Sequence, residues 1–362
     1  MADRPLLVVE DDRFLRVLQV VLDPDTSAER YAAFADFFAH EVNFDDYCAQ
    51  VRARAPGLFP ARVQLVDTQE ELRGALAEAR GVAVEALTIG REELAAAPNL
   101  KFVQKYGLGL GGIDTAACAE CGVAVLNIRR RANIACAEHA LALMLMQARK
   151  LDRMVGLVTA AKLAAAGYPY KPFDRRHSPN SNWGRIGGLR MLHGATLGLI
   201  GLGEIGREIA ARAVAFGMRV LYFQRTKWPE AEERALGVAY APIDTLLGEA
   251  DWVIPQLPEG PSTRNLIGAA QLARMKPGAF IVNVSRPDVI DRAALIDALK
   301  SGRLGGFALD PLYQAPARDD DELLHLENVI LVPHLAGSPR LNGLADFEDI
   351  IAGMAQALAR QG

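Results

Sequence analysis

Residues 196–206 read TLGLIGLGEIG, and this stretch decides the fold. It opens with an apolar run typical of a buried strand, continues with glycines at Gly201, Gly203 and Gly206, and leads into a segment of helical periodicity up to Phe216. A G-x-G-x-x-G turn between a strand and a helix predicts dinucleotide binding. The first glycine permits the tight turn, the second lets the backbone approach a pyrophosphate, and the third lets helix and strand pack closely.

Short β-rich apolar runs alternate with helical stretches on both sides of this motif, which predicts an α/β fold. Six runs form the series that contains the motif and fit a doubly wound sheet: 196–200, 219–223, 252–254, 280–284, 306–309 and 329–332. Five runs form an earlier series: 6–9, 63–66, 82–84, 102–104 and 123–126. Between the series, the Ala/Leu/Met-rich segment 133–151 predicts a long helix. A chain of 362 residues exceeds what one hydrophobic core usually serves, so we expect two domains.

Composition excludes several classes of protein. With 51% hydrophobic and 23% charged residues, the chain is that of a packed globular protein rather than a disordered one. Forty basic against forty-four acidic residues give a net charge of −4, without the basic excess of a nucleic-acid binder. The most apolar run, 140–146, is far shorter than the roughly 20 residues that span a bilayer, so no membrane partner is expected.

The cysteines and the N-terminal residues indicate the compartment. The chain starts without the basic segment and long apolar stretch of a signal peptide, so export is not expected. Four cysteines are too few for a disulfide framework, which favours reduced thiols in the cytoplasm. Cys118 and Cys121 form a C-A-E-C pair, but no second ligand pair at matching spacing accompanies it, so no metal site is predicted.

The strand after the glycine motif ends in Gln224, Arg225, Thr226 and Lys227. An acidic residue normally binds the ribose 2′-hydroxyl of NAD at this position. Gln224 does not repel a 2′-phosphate, Arg225 and Lys227 can neutralise one, and the Thr226 hydroxyl can donate to it. NADP is therefore the predicted cofactor, with NAD possible. The alternative is that Arg225 and Lys227 belong to a merely solvated loop.

Two aromatic-rich stretches look like insertions. Residues 23–60 read as an amphipathic helix that carries aromatic side chains, and residues 167–183 read as a loop rich in Pro, Asn and Ser. Packing or a subunit contact is favoured over substrate contact for both, because aromatic residues are enriched in interfaces.

Five further motifs accompany the glycine turn in chain order. They are Tyr106–Asp114, Ala137–Leu143, Arg274–Arg286, Ala308–Asp310 and Val332–Ser338. With them, the chain resembles the D-isomer-specific 2-hydroxyacid dehydrogenase family over about residues 98–340. On this basis we expect two Rossmann-like, doubly wound domains with an active-site cleft between them. The substrate domain would comprise 1–127 plus 336–362 and the dinucleotide-binding domain 128–335. The resemblance also suggests a homodimer.

The resemblance implies an oxidoreductase that transfers a hydride between NADP(H) and a small carboxylate, a 2-hydroxy or 2-keto acid. It makes Arg286 the cation that holds the carboxylate and carbonyl and His334 the general acid/base. The backbone amides of Leu108 and Gly109 would receive the substrate carboxylate. For the cofactor it adds five residues, of which the last would hold the nicotinamide amide: Glu204, Ile205, Pro258, Ser285 and Asp310.

The chain departs from the family pattern around the expected substrate. Where relatives carry a Glu that orients and charges the catalytic histidine, this chain has Ala315, with Gln314 beside it. Without that carboxylate, a protonated His334 lacks an opposite charge and should lose its proton at lower pH. Whether Gln314 replaces the Glu stays open. Two other pairs also differ. Pro287–Asp288 stands where relatives usually have two small residues, and Gly111–Gly112 stands where they usually have Asp-Asn.

These departures keep two alternatives open. One is a family member with altered chemistry on a substrate that is not a simple 2-hydroxy acid, which the changed residues favour. The other is a dinucleotide-sensing binding protein with vestigial catalysis, like the family's transcriptional corepressors; the retained Arg286 and His334 argue against it. The inserted aromatic side chains suggest a bulky aromatic acid if the chain is a dehydrogenase.

Overall fold

The structure, a computed structural model, describes residues 4–360. The chain divides into two units: the first comprises residues up to Asn133 together with those from Gly337 onward, and the second is Ile134–Ala336. Residues 1–3 and 361–362, which the sequence assigned to the substrate domain, lie outside the described residues.

The regular elements alternate along the chain. Those of the first sheet and its helices are β1 (Leu6–Glu10), α1 (Arg16–Leu22), α2 (Ala28–Phe38), α3 (Phe44–Ala53), β2 (Arg62–Val66), α4 (Gln69–Ala75), β3 (Ala79–Val84), α5 (Arg91–Ala95), β4 (Phe102–Lys105), α6 (Thr115–Glu120) and β5 (Ala124–Leu126). Those that follow are α7 (Arg131–Arg149), α8 (Leu151–Met154), α9 (Ala160–Ala165), β6 (Thr196–Ile200), α10 (Glu204–Ala215), β7 (Arg219–Phe223), α11 (Glu230–Leu236), β8 (Val238–Tyr240), α12 (Ile243–Glu249), β9 (Trp252–Pro255), α13 (Ala269–Arg274), β10 (Ala279–Asn283), α14 (Arg292–Lys300), β11 (Leu304–Leu309), β12 (Val329–Leu331) and α15 (Leu341–Ala359).

The first unit is built on a parallel sheet in the order β2-β1-β3-β4-β5. Alternate residues of β1 point to opposite faces, so Leu7 and Val9 join one apolar cluster and Val8 joins another. The central strands β1 and β3 are largely buried, as expected for a parallel sheet covered on both faces, whereas the edge strand β2 alternates and exposes Arg62 and Gln64.

The second unit is built on a seven-stranded parallel sheet in the order β12-β11-β10-β9-β6-β7-β8. All strands run in the same direction, but the order in which the chain adds them reverses beside β6: β7 and β8 lie on one side of it, and β9 to β12 lie on the other. Ligands of such sheets bind outside the carboxyl ends of the strands at this switch point.

The predicted α/β fold with two doubly wound sheets is confirmed. The prediction of six strands for the second sheet was wrong by one, because β8 adds a seventh strand at the edge beyond β7. It spans only three residues, Val238–Tyr240, too few to show a periodic pattern. The predicted long helix between the two series is α7.

The aromatic stretch 23–60 forms two helices, α2 and α3, rather than the single helix expected. The reason is Asn43, whose side chain accepts from the backbone N–H groups of Asp45 and Asp46 and so starts a second helix. Phe38 and Phe44 stack in the core with ring centroids 5.5 Å apart. Core packing therefore accounts for Phe38 and Phe44, whereas Phe37 is exposed.

The same stretch also anchors the C-terminal helix α15. The carboxylate of Glu41 accepts from the backbone N–H groups of Arg340 and Leu341, each at 2.8 Å. Burial opposes ionisation of Glu41, but these hydrogen bonds hold its pKa below the usual value. Glu41 thus caps the start of α15, where a negative charge is favourable.

Candidate active and cofactor site

The predicted site residues of the second unit follow the carboxyl ends of neighbouring strands. From β12 across to β7, the loops carry His334; Asp310; Ser285 and Arg286; Pro258; Gly201, Gly203, Glu204, Ile205 and Gly206; and Gln224, Arg225 and Thr226. Neighbouring strands of a sheet lie about 4.8 Å apart, so the structure brings all of these residues to one edge of one sheet. The switch point beside β6 lies in the middle of this row.

The glycine turn fits an anionic ligand. A Cβ at Gly201, whose φ is +102°, would lie 2.2 Å from the carbonyl oxygen of Gln256, and one at Gly206 would lie 2.6 Å from the oxygen of Gly201. Neither position tolerates a side chain. By contrast, a Cβ at Gly203 would meet nothing within 4 Å, so this side of the turn is open. The twelve-residue α10 begins directly after Gly203, and its first N–H groups and dipole favour a phosphate there.

Gln224 ties the loop after β7 to the glycine turn. Its Oε1 accepts from the backbone N–H of Leu202 at 3.3 Å, and its Nε2 donates to the carbonyl oxygen of Thr226 at 2.6 Å. Arg225 and Thr226 are exposed. Within residues 4–360, no carboxylate lies in ion-pair range of Arg225, so its charge is available to a ligand.

Lys227 is engaged elsewhere. Its Nζ lies 3.7 Å from the buried carboxylate of Glu233, which also accepts from the Tyr222 hydroxyl at 2.7 Å. Burial and this hydrogen bond raise the pKa of Tyr222 to about 12, so the phenol stays a donor. The Tyr222 oxygen in turn accepts from the backbone N–H of Trp228, over whose ring the guanidinium of Arg207 lies at 4.8 Å. Arg207 directly follows the last glycine of the motif, and this contact with Trp228 was not predicted from the sequence.

Asp310 organises the turn that carries His334. Asp310 is fully buried; its Oδ1 accepts from the backbone N–H groups of Leu335 and Ala336 at 2.6 and 3.1 Å, and its carbonyl oxygen accepts from the N–H of His334 at 3.1 Å. His334 adopts a left-handed φ of 57°. That conformation is uncommon for residues other than glycine, and the three hydrogen bonds to Asp310 stabilise it.

The second oxygen of Asp310 matches the amide of a nicotinamide. Oδ2 is buried and accepts no hydrogen bond from the described part of the chain. Because a buried carboxylate oxygen without a donor is costly, the site is suited to a ligand that brings an N–H group. The open side of the glycine turn is thus suited to the pyrophosphate of a dinucleotide, and this oxygen to the amide at its nicotinamide end.

The ring of His334 is exposed, and no described carboxylate lies within ion-pair range of it. Ala315 and Gln314 are also exposed, and no hydrogen bond joins Gln314 to His334 in the part of the chain that the structure describes. Neighbouring Tyr313 fixes this loop by donating to the carbonyl oxygen of Ile290 at 3.0 Å.

Arg286 lies in a turn that the side chain of Asn283 stabilises by hydrogen bonds. The Asn283 side chain is fully buried; its oxygen accepts from the backbone N–H and the hydroxyl of Ser285 at 2.9 and 3.0 Å, and its Nδ2 donates to the carbonyl oxygen of Arg286 at 2.8 Å. The Arg286 side chain is 52% exposed, and its Nε lies 4.0 Å from an oxygen of Glu259. Its guanidinium can therefore reach a ligand. Sequence reasoning missed Asn283 and Glu259, because no local pattern marks their contacts.

The unusual pair Pro287–Asp288 fits a single 3-10 turn, 287–289. The carbonyl oxygen of Asp288 accepts from the N–H of Asn265 at 2.7 Å, and its carboxylate lies 3.3 Å from Nη1 of Arg264. Arg264 thus balances the extra negative charge next to Arg286.

Leu108 and Gly109 belong to the first unit, in the loop after β4. Tyr106 begins this loop; its buried ring stacks on Phe347 with centroids 5.7 Å apart and lies 4.8 Å below the guanidinium carbon of Arg130. Leu108 is 40% exposed. The loop is thus anchored at its start and open at its middle.

At the switch point of the first sheet, the carboxylate of Glu10 occupies the position that a bound anion would take. Glu10, at the end of β1, accepts from the backbone N–H groups of Glu85, Ala86 and Leu87 at 2.6 to 3.0 Å. These N–H groups form the kind of nest that otherwise binds phosphate. Since Glu10 occupies it, the anion site suited to a dinucleotide is that of the second unit.

Residues 4–360 contain neither a metal-binding cluster nor a membrane-spanning helix. No cluster of three or more His, Cys, Asp or Glu side chains is arranged to hold a metal ion. In this range, no helix combines the length and apolar character needed to span a bilayer.

Comparisons with known proteins give consistent results. The family model for the D-isomer specific 2-hydroxyacid dehydrogenase NAD binding domain matches residues 141–336. A glyoxylate reductase of Korarchaeum cryptofilum is 37% identical over 250 residues, 69% of this chain and 70% of the relative. A glyoxylate/hydroxypyruvate reductase B of Yersinia pestis is 34% identical over 75% of this chain and 78% of the relative. The solved apo structure of Rhodotorula graminis D-mandelate dehydrogenase aligns with a TM-score of 0.56 at 26% identity, covering 97% of this chain and 93% of that one.

Proposed function

Because the chain belongs to the D-isomer specific 2-hydroxyacid dehydrogenase family, and is thus an NAD(P)-dependent 2-hydroxyacid dehydrogenase, we propose that it reduces a 2-keto acid with NADPH. The observation that carries the proposal is the row of loops at one edge of the second sheet, where Arg286, Asp310 and His334 follow three neighbouring strands. We assign the dinucleotide to this unit and the substrate loop with Leu108 and Gly109 to the first.

Each side chain has a role that its geometry supports. The planar fork of Arg286 binds the substrate carboxylate and polarises the carbonyl to be reduced. His334 donates a proton to the carbonyl oxygen, and because its ring is exposed, solvent restores that proton. Asp310 holds the His334 turn through one oxygen, and its other oxygen would accept from the nicotinamide amide. The bound cofactor supplies the hydride.

The remaining cofactor contacts follow from the same edge of the sheet. The backbone amides of Gly203, Glu204 and Ile205 at the start of α10 would hold the pyrophosphate. Ser285 and Pro258 stand on the loops after β10 and β9, beside the proposed nicotinamide end.

A screen of 2-keto acids with NADPH, followed by absorbance, tests the proposed function. The relatives named above are reductases of glyoxylate and hydroxypyruvate and a dehydrogenase of D-mandelate, so the screen includes glyoxylate, hydroxypyruvate and phenylglyoxylate. We expect NADPH oxidation with at least one acid of this class. NADPH binding without turnover of any of them would favour the altered chemistry or the dinucleotide-sensing protein instead.

The preference for NADP rests on Arg225, the exposed cation beside the glycine turn. Arg225→Ala should weaken NADPH binding by about 1.5 to 3 kcal/mol, the size of a hydrogen bond to a charged group, and leave NADH binding nearly unchanged. Fluorescence titration of both cofactors measures this. Arg62→Ala, at an exposed ion pair on β2, is the control that should alter neither affinity. Equal losses for both cofactors would refute a contact with the 2′-phosphate.

The missing carboxylate at Ala315 predicts an altered pH dependence. Ala315→Glu should add an opposite charge near His334, favour its protonated form and move the reductive kcat/KM profile to higher pH. The control is Ala315→Gln, which adds bulk without charge and should leave the profile in place. If Ala315→Glu leaves the profile unmoved while NADPH binding is intact, residue 315 does not face His334.

We further propose a cytoplasmic homodimer. The second unit exposes several apolar side chains: Leu151, Val155, Val158 and Met191. Exposed apolar patches often mark protein interfaces. Sedimentation equilibrium should give twice the chain mass of 39.1 kDa, and a monomer would contradict the assembly.

The proposed compartment rests on the cysteines. The free thiols of Cys48, Cys118 and Cys121 are typical of a reducing compartment, which cell fractionation would test.

A further inference from the structure

His139 is a polar side chain at the site to which the proposed function gives no role. It lies on α7, within the motif Ala137–Leu143, and its side chain is 21% exposed. Its Nε2 lies 3.4 Å from Oδ1 of Asp310. This nitrogen is buried and makes no hydrogen bond that meets strict geometry within residues 4–360.

The chemistry of the pair determines where the proton must be. An ionised carboxylate only accepts hydrogen bonds, so the imidazole nitrogen that faces Asp310 must carry a proton. A separation of 3.4 Å is within ion-pair range and somewhat longer than a good N–H···O bond. Because Asp310 is fully buried and its Oδ2 has no donor in the described chain, an N–H beside it stabilises the charged form.

The position of His139 also limits how the carboxylate can turn. Oδ1 already accepts two backbone N–H groups from the turn of His334, and the ring of His139 lies against this same oxygen. Rotation of the carboxylate would break these contacts and aim Oδ2 away from the space in which the amide of a nicotinamide is proposed to lie. The three groups around Oδ1 therefore fix the direction of Oδ2.

We infer that His139 is a positioning residue that holds the Asp310 carboxylate in place through Nε2–H. In this orientation Oδ1 accepts from the backbone of the His334 turn, and Oδ2 is directed toward the amide of the cofactor. This inference rests on the proposed function for the role of Asp310. Simple core packing by the ring is the competing account, and it requires no proton on Nε2.

Two substitutions separate these accounts. His139→Phe keeps a ring but removes the donor, and it should weaken NADPH binding about tenfold or more, the fold-change for losing one hydrogen bond to a charged group. His139→Gln keeps an N–H donor and should stay within about threefold of the wild type, since only the geometry of one hydrogen bond changes. Glu138→Gln, at an exposed neighbour on α7, is the matched control and should change nothing. The readouts are fluorescence titration with NADPH in the absence of substrate and the Tm of the free protein.

Packing alone predicts the opposite ranking, with His139→Gln more damaging than His139→Phe. Unchanged NADPH binding by a folded His139→Phe variant, or a loss in His139→Gln equal to that in His139→Phe, would overturn the inference. Nitrogen NMR of the wild-type imidazole is independent of variant folding: Nε2 should carry the proton, and a deprotonated Nε2 would also overturn it. None of these readouts uses a keto acid. Failure of the proposed function would appear as no turnover in the substrate screen, whereas failure of the role of His139 would appear in NADPH binding or in the NMR spectrum.

Discussion

Replacing Arg286 with alanine is expected to lower kcat/KM for a 2-keto acid by about 10² to 10⁴, because two charge-assisted hydrogen bonds of about 1.5 to 3 kcal/mol each are lost. KM should rise and kcat should fall together, since the guanidinium contacts the substrate both in the ground state and in the transition state. NADPH binding should persist. Steady-state kinetics and fluorescence titration measure the two effects.

Arg286→Lys sharpens this test, because it keeps the charge and removes the fork that binds carboxylate and carbonyl together. We expect it to restore only a small part of the lost activity. Arg274→Ala, at an exposed ion pair with Asp244, should behave as the wild type. Turnover near the wild-type rate in Arg286→Ala would remove the guanidinium from the mechanism.

Removal of the imidazole of His334 should lower kcat by about 10² to 10⁴, the usual contribution of a positioned proton donor, with little change in KM. Alanine alone is an imperfect test, because residue 334 has a left-handed φ of 57°, a conformation in which histidine and asparagine are more common than alanine. His334→Asn is therefore the better variant, since asparagine tolerates this conformation and cannot act as a general acid. Both variants should lose kcat while binding NADPH.

The two His334 variants distinguish proton transfer from turn geometry. An active His334→Asn enzyme beside an inactive His334→Ala enzyme would assign the effect to the backbone of the turn that Asp310 holds. Full activity in both would end the assignment of His334 as the general acid.

The fold could be predicted well because its signals are local. The strand at 196–200 is a continuous apolar run followed by glycine, and its prediction matches β6. The edge strand β8 was missed because three residues carry no periodicity, and the aromatic stretch 23–60 was predicted as one helix because the cap at Asn43 lies within a continuous aromatic pattern.

The candidate site could be predicted only in part, for a physical reason. Topology places strand ends in a row, so residues that follow strands, such as Arg286 and Asp310, could be expected together. Contacts between distant segments leave no trace in the local sequence pattern. The approach of His139 to Asp310, and the seating of Glu10 in the loop after β3, are therefore known only from the structure. For Gln314, the sequence left open a contact with His334 that the structure does not show.

Isotope transfer tests the central claim most directly. The acid found in the screen is reduced with NADPH that carries deuterium at the reactive position of its nicotinamide, and the product is analysed by NMR. A 2-keto acid reductase of the proposed kind places that deuterium on C2 of a 2-hydroxy acid, and Arg286→Ala should form this product about 10² to 10⁴ times more slowly than the wild type. A product without deuterium at C2, or one that is not a 2-hydroxy acid, would contradict the proposed hydride transfer.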